Sequence, residues 1–122
     1  MGLEFYYTIS ITVGLILWWA VVYARHVRFR SRIRTRIHVN GTRGKSSVTR
    51  LIAGALREAG VRTYAKTTGT YAVLIFPDGH EEKIIRRGSA NINEQVKFIE
   101  LAASDNAEAI VIECMALQPQ YQ

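Results

Sequence analysis

The stretch that decides the fold of this 122-residue chain is residues 37–47, which read I-H-V-N-G-T-R-G-K-S-S. A short β-prone run leads into a glycine-containing turn, and a helical pattern begins at Ser46. The glycines allow backbone N–H groups to approach phosphate oxygens, and the N-terminus of the helix adds a favourable dipole. This strand–loop–helix order is the context that a phosphate-binding loop requires.

The loop supplies most of the predicted nucleotide-binding residues. They are Asn40, Gly41, Thr42, Arg43, Gly44, Lys45, Ser46 and Ser47. Lys45 is placed to reach the β- and γ-phosphates, and the Ser46 hydroxyl to join a Mg²⁺ shell. The pattern G-T-R-G-K-S is shorter than the standard G-x-x-x-x-G-K-[ST], because Val39 stands where the first glycine would be. The alternative is a glycine turn that caps an ordinary helix.

The rest of the chain predicts alternating strands and helices. Strands are expected at 37–40, 61–66 and 109–112, a hairpin at 71–76 and 82–85, and a helix over 46–59. A second helix is expected after Asn91, which would cap it together with Glu94. The expected inner faces are Val48, Leu51, Ile52, Ala55 and Ala59 for the first helix, and Ile92, Val96, Ile99 and Ala103 for the second.

This order predicts an α/β fold with a parallel sheet and flanking helices. Three parallel strands would expose an open sheet edge, and no helix follows the third strand before residue 122 to cover it. We therefore expect the chain to be a fragment of a larger protein or a subunit completed by a partner.

Polar residues follow each of the predicted parallel strands. The run K-T-T-G-T at 66–70 follows the second strand, and Glu113 ends the third. Ligands of open parallel sheets bind beyond the carboxyl ends of the strands, so we expect these residues to share one edge with the phosphate loop. Glu113 would be a second Mg²⁺ ligand there. Alone, it would be read as a solvent-facing acid.

Candidate contacts to an anionic substrate are less specific. Lys66, Thr67 and Thr70 suit an anionic ligand. Arg86 and Arg87, with Asn91, could hold a carboxylate through bidentate contacts. A solvated turn with a capping asparagine explains the second group equally well. The three histidines lack metal-ligand spacing, and Cys114, the single cysteine, has no histidine placed to activate it.

An N-terminal membrane anchor is predicted by the twenty uncharged residues at 5–24. A helix of that length spans about 30 Å, the thickness of a bilayer core. The six arginines in 25–36 would keep that flank in the cytoplasm, as a basic linker beside acidic headgroups. A cleaved signal peptide and a buried core helix are the alternatives.

The net charge of +6 belongs almost wholly to that linker, since residues 37–122 hold ten Lys/Arg and nine Asp/Glu. The basic composition is therefore a sign of membrane topology, and no nucleic-acid partner is expected. The expected domains are an anchor at 1–24, the linker at 25–36 and a nucleotide-binding region at 37–122.

These motifs together resemble a known family. N-G-T-R-G-K-S-S, K-T-T-G-T, R-R-G-S-A-N-I-N-E-Q and E-C-M-A-L-Q-P-Q-Y-Q, behind an N-terminal anchor, are similar to those of the Mur ligase and folylpolyglutamate synthetase superfamily. Within it, the chain most resembles the membrane-associated ligases of poly-γ-glutamate capsule synthesis. The resemblance covers nearly the whole chain.

The resemblance implies ATP-dependent amide ligation. A terminal carboxylate is phosphorylated by ATP, and an incoming glutamate amine attacks the acyl phosphate. Lys45 and Glu113 would be the catalytic residues, and Ser46, Thr68 and Glu113 would lie at the Mg²⁺. Glutamate, poly-γ-glutamate and further membrane subunits are the implied partners.

The family's domain has more strands, a metal-binding histidine and a C-terminal domain that are not found before residue 122. We therefore expect little or no ligase activity from these residues alone. Another P-loop enzyme such as a kinase, and a non-catalytic anchored nucleotide-binding or scaffold protein, are the alternatives.

Overall fold

The computed structural model describes residues 2–69, 71–85 and 92–115, which form three helices and five strands. The elements in chain order are α1 (Leu3–Arg32), β1 (Thr35–Val39), α2 (Lys45–Glu58), β2 (Thr63–Lys66), β3 (Val73–Ile75), β4 (Glu81–Lys83), α3 (Ile92–Ser104) and β5 (Ala109–Glu113). The predicted order of strand, helix, strand, hairpin, helix and strand is confirmed. The capping role predicted for Asn91 lies outside the described residues.

The five strands form one mixed sheet in the order β1-β5-β2-β3-β4. β5 runs parallel to both β1 and β2, and the hairpin β3–β4 extends the sheet antiparallel to β2. The expected parallel pairing is therefore found for β1, β5 and β2, and the hairpin makes the sheet mixed. β5 is inserted between β1 and β2, so the third parallel strand lies inside the sheet and β1 forms the open edge of the described sheet.

The two crossovers place helices on opposite faces of the sheet. The connection from β1 to β2 steps in one direction along the sheet, and the connection from β2 to β5 steps back. Right-handed crossovers of opposite direction must lie on opposite faces. Neighbouring residues of β5 accordingly face different layers: Val111 packs in the α2 layer and Ile110 in the α3 layer.

The helix faces differ from the expected ones. In α2 the buried residues are Thr49 and Ala53, whereas Val48 and Leu51 are 44% and 72% exposed. The buried face is thus turned by about one residue, or about 100°, from the predicted face. Small side chains at the sheet contact let the helix approach β2 and β5 closely, which the apolar pattern does not reveal.

In α3 the face is likewise shifted. Phe98, Ala102 and Ala103 are buried and Ile99 is partly buried, but Ile92 is 64% exposed. Ala103 and Ile99 therefore belong to the inner face as predicted, and Ile92 does not. Phe98 takes the central place because its ring meets Tyr64 of β2.

Helix α1 is longer than the predicted anchor. It is the one described helix long and apolar enough to cross a membrane, and it continues through Arg32. The segment expected to be a linker is therefore mostly helix. Its end packs on α3, where Ile33 is 1% exposed and Phe29 joins the same apolar cluster.

Two glycines of the α2 region are expected to respond oppositely to alanine. Gly44 has φ 74°, in the left-handed region, so G44A should destabilise the fold by about 1 kcal/mol. Gly54 lies inside α2, where an added Cβ meets nothing closer than 3.8 Å, so G54A should stabilise it by about 1 kcal/mol. Urea unfolding in detergent, followed by circular dichroism, measures both. Equal stability of the two variants would contradict the left-handed start of α2.

A pH-dependent contribution is expected from Asp105, which follows α3. The Tyr64 hydroxyl donates to its Oδ2 at 2.6 Å, and Arg62 pairs with it. These hydrogen bonds, that of Tyr64 first, lower the pKa of Asp105 below 3.8. Stability from a lowered carboxyl pKa is present above the unfolded value and is lost as pH falls through the folded value.

D105N should therefore lower the urea midpoint at pH 7, and the difference from wild type should close as pH falls through the lowered folded pKa of Asp105. E108Q, which removes an exposed carboxylate nearby, is the control and should change the midpoint little at either pH. A D105N difference that persists unchanged at low pH would show that its carboxylate charge is not the cause.

Candidate functional site

The loop between β1 and α2 is held by its own backbone and by Asn40. The Asn40 Oδ1 accepts a hydrogen bond from the Gly41 N–H at 2.8 Å. Gly44 turns the chain in the left-handed conformation, and α2 begins at Lys45 without a side-chain cap. The first-turn N–H groups of α2 have no intrahelical partner, so this end of the helix suits an anion.

Lys45 leaves this loop beside Gly41. A Cβ built on Gly41 would lie 3.8 Å from the Lys45 Cγ, an ordinary contact distance, so the lysine stem passes beside this glycine. Thr42, Arg43 and Ser47 are exposed around the loop. The loop therefore presents one flexible ammonium group and several exposed polar side chains at the start of α2.

The centre of the site is the Glu113 carboxylate at the end of β5, which is 3% exposed. Its Oε2 accepts hydrogen bonds from the Ser46 hydroxyl at 2.8 Å and from the Thr68 N–H at 2.9 Å. The Thr68 hydroxyl in turn donates to the Cys114 carbonyl at 2.9 Å. One carboxylate thus joins the loops that follow β1 and β2, and the structure brings Ser46, Thr68 and Glu113 together.

The position of β5 makes this arrangement possible. Because β5 lies between β1 and β2, its carboxyl end lies between the loops that leave those strands. The Cys114 N–H donates to the Val39 carbonyl at 2.8 Å, which carries the pairing of β1 and β5 one residue past the strands. The backbone of Glu113 is therefore fixed on both sides.

The donor set suits a small, hard cation. The Ser46 Oγ and the Glu113 Oε2 are hard oxygen donors, and the hydrogen bond between them places them side by side. Within the described ranges there is no group of three or more His, Cys, Asp or Glu that could hold a metal. Two protein oxygens, with the remaining positions left to water and phosphate, are typical of Mg²⁺.

Gly69 borders the same space and was not among the predicted site residues. A Cβ at Gly69 would lie 3.5 Å from the Ser46 Oγ and 3.9 Å from the Glu113 Oε1. The glycine therefore keeps the space beside both oxygens open. The sequence shows that this glycine belongs to K-T-T-G-T. It does not show that the glycine lies next to Ser46.

The other residues of the threonine loop make internal contacts. Lys66 is 1% exposed; its Nζ donates to the Gln95 Oε1 at 3.0 Å and lies 3.3 Å from the Glu94 Oε2. It therefore faces α3, on the opposite side of the sheet from α2. The Thr67 hydroxyl donates to the Tyr71 carbonyl at 3.1 Å and accepts from the N–H of residue 73 at 3.1 Å. The substrate contacts predicted for both remain predictions.

The remaining substrate predictions, Thr70, Arg86, Arg87 and Asn91, lie outside the described residues. A feature that sequence reasoning missed is a cavity of about 370 Å³ on the α3 side of this sheet edge. It is lined by His38, Ile92, Gln95, Ile112, Cys114 and Met115. Only the pairing of β1 with β5 brings His38 and Cys114 to one cavity, so no sequence pattern pointed to it.

Comparison with known proteins gives two curated relatives. The chain is 44% identical over 113 residues to the "Capsule biosynthesis protein CapB" of Bacillus anthracis, which covers 91% of this chain and 24% of that protein. It is 47% identical over 100 residues to the "PGA synthase CapB" of Bacillus subtilis (strain 168), which covers 80% of this chain and 25% of that protein.

No family model and no solved structure matches the chain. The chain spans about a quarter of the length of the curated relatives it matches. The two identities nevertheless extend over most of its own residues. By sequence, the chain is a homologue of proteins named for capsule biosynthesis and PGA synthesis.

Proposed function

We propose that the chain is the nucleotide-binding part of an ATP-dependent amide ligase that adds glutamate to poly-γ-glutamate through an acyl phosphate. The observation that carries the proposal is the buried Glu113 carboxylate, which is bonded to both Ser46 and Thr68 beside a glycine loop at the carboxyl edge of the sheet. This is the edge at which open α/β sheets bind ligands.

The triphosphate would lie against the loop at 40–47. Lys45 would neutralise charge on the γ-phosphate, and the first-turn amides of α2 would donate to phosphate oxygens. During transfer the charge spreads over the phosphoryl oxygens, so positioned donors and cations lower the barrier. The start of α2, which has no side-chain cap, and the left-handed Gly44 before it support this placement.

A magnesium ion would be held by Ser46 and Glu113, with Thr68 beside it. Bound there, it would supply charge neutralisation for the β- and γ-phosphates. The meeting of a hydroxyl and a buried carboxylate beside the glycine loop supports this assignment. Thr68 contributes through its N–H to Glu113 and through its hydroxyl to Cys114, and so holds the carboxylate in place.

The relatives' names support glutamate and its polymer as the substrates, since one is named a PGA synthase and the other a capsule biosynthesis protein. Arg86, Arg87 and Asn91 are proposed to meet the acidic polymer. Helix α1 would hold the protein at the cell membrane, beside other synthase subunits, with the sheet on the cytoplasmic side. Its length and its exposed apolar surface support a membrane span.

Nucleotide binding is tested by titrating the 122-residue chain in detergent with a fluorescent ATP analogue, with Mg²⁺ and with EDTA. K45Q should weaken binding by about 10- to 100-fold, the range expected for one charge-assisted contact. R50Q removes an equal charge from the exposed side of α2, where Arg50 pairs with Glu81, and should bind as wild type. Equal affinities of K45Q and wild type would overturn the assignment of the loop.

The magnesium assignment is tested in the same titration. E113Q keeps a hydrogen-bond acceptor for Ser46 but removes the charge, so it should lose most of the gain in affinity that Mg²⁺ gives. E108Q, at the opposite end of the same strand, should keep that gain. If E113Q retains the full Mg²⁺ dependence, Glu113 does not hold the ion.

Ligation is tested by glutamate-dependent release of ADP. We expect little or none from the 122 residues alone. A chimaera in which they replace the matching segment of one relative should be active. K45A or E113A should reduce its turnover by at least about 100-fold. ADP release that does not depend on glutamate would favour a kinase or another P-loop enzyme, and wild-type ligation by either variant would remove the site assignment.

A further inference from the structure

The polar end of α1 carries a row of arginines on one face. Arg25, Arg28 and Arg32 recur at positions i, i+3 and i+7, which lie along one side of a helix. Together with Ala24 and Phe29 they line a cavity of about 400 Å³. The cavity begins where the uncharged run at 5–24 ends.

This row is fixed by contacts with the folded domain. The guanidinium carbons of Arg25 and Arg32 both lie 5.6 Å from the centre of the Phe29 ring. Phe29 itself packs against the apolar cluster between α3 and the sheet. The Arg25 Nε lies 3.8 Å from the Glu100 Oε1 of α3. Contacts with Phe29 and Glu100 therefore hold the arginine side of α1 against the folded domain.

Two of the three arginines have no carboxylate partner among the described residues, so both can bind an anionic ligand. Glu100 partly neutralises Arg25. Among the residues that the structure describes, Arg28 and Arg32 form no ion pair with a carboxylate. Their guanidinium groups can each donate two parallel hydrogen bonds to the oxygens of a phosphodiester.

The depth of the row matches the headgroup layer. If residues 5–24 fill a hydrocarbon core of about 30 Å, the headgroup region extends about 5–8 Å further on each side. At about 1.5 Å per residue, the backbone of Arg25 and of Arg28 lies about 2 Å and about 6 Å beyond the core, within that layer. Arg32 lies about 12 Å beyond the core, and its long side chain leans toward the N-terminus of the helix and so reaches back toward the layer. Ala24 gives the cavity an apolar lining at its membrane end, which suits the glycerol and acyl part of a lipid.

We propose that this cavity binds the phosphodiester headgroup of an acidic phospholipid, with Arg28 and Arg32 as its principal ligands. The inference rests on α1 crossing a bilayer, and it does not depend on the ligase chemistry. Because Phe29 and Glu100 couple the row to α3, a bound headgroup would also fix the height of the sheet above the membrane.

The test uses the full 122-residue chain in detergent, titrated with phosphatidylglycerol and separately with phosphatidylcholine and followed by native mass spectrometry. Wild type should bind phosphatidylglycerol more tightly. R28Q/R32Q should lose about 20- to 30-fold of that affinity, at about five-fold per arginine. R30Q/R36Q removes the same charge, and Arg30 lies on the other side of α1; it should lose less than about five-fold.

Equal losses of phosphatidylglycerol affinity in the two double variants would contradict the proposal, because they would show that only the total positive charge matters. Absence of any preference of wild type for phosphatidylglycerol would also overturn it. Displacement of the lipid by soluble glycerol phosphate or by polyglutamate at similar concentration would assign the arginines to a soluble anion. If circular dichroism shows that R28Q/R32Q does not fold, the single variants R28Q and R32Q are measured, with a five-fold loss expected for each.

Discussion

The Glu113 carboxylate is the interaction on which the candidate site depends. It is 3% exposed, and one oxygen accepts from the loop after β1 and from the loop after β2. A buried carboxylate must be compensated by donors, and here the donors are the Ser46 hydroxyl and a backbone N–H. Its need for partners therefore holds the start of α2 and the loop after β2 together at the carboxyl end of β5.

The topology of the sheet supplies that carboxylate with its surroundings. β5 is the last strand in the described chain but a central one in the sheet, parallel to both neighbours. Its return between β1 and β2 sends α3 to the face opposite α2. The end of α1 packs on that same face, against α3. The proposed membrane helix is therefore joined through α3 to β5, the strand that carries Glu113.

Sequence patterns predicted the presence of most elements but not which sides of the helices are buried. The glycine loop, α2, the hairpin and the apolar run of β5 were predictable because turn residues and long apolar runs are local signals. The faces of α2 and α3 were not. α2 has apolar residues on more than one side, and the sheet selected Thr49 and Ala53 for their small size over Leu51. Lys66 ends β2 at the carboxyl edge of the sheet, and strand alternation directs its side chain to Gln95 of α3, a contact that no local pattern indicated.

The sequence by itself determined the phosphate-loop pattern, the α/β order, the uncharged run at 5–24 and the concentration of charge beside it, because each depends on residues close together in the chain. Only the tertiary structure decided that β5 is central, which hydrogen bonds join Ser46, Thr68 and Glu113 at their expected edge, and that the arginine-bearing end of α1 packs on α3. These are pairings across tens of residues. They depend on crossover handedness and on which side chains fit between layers, neither of which a local pattern specifies.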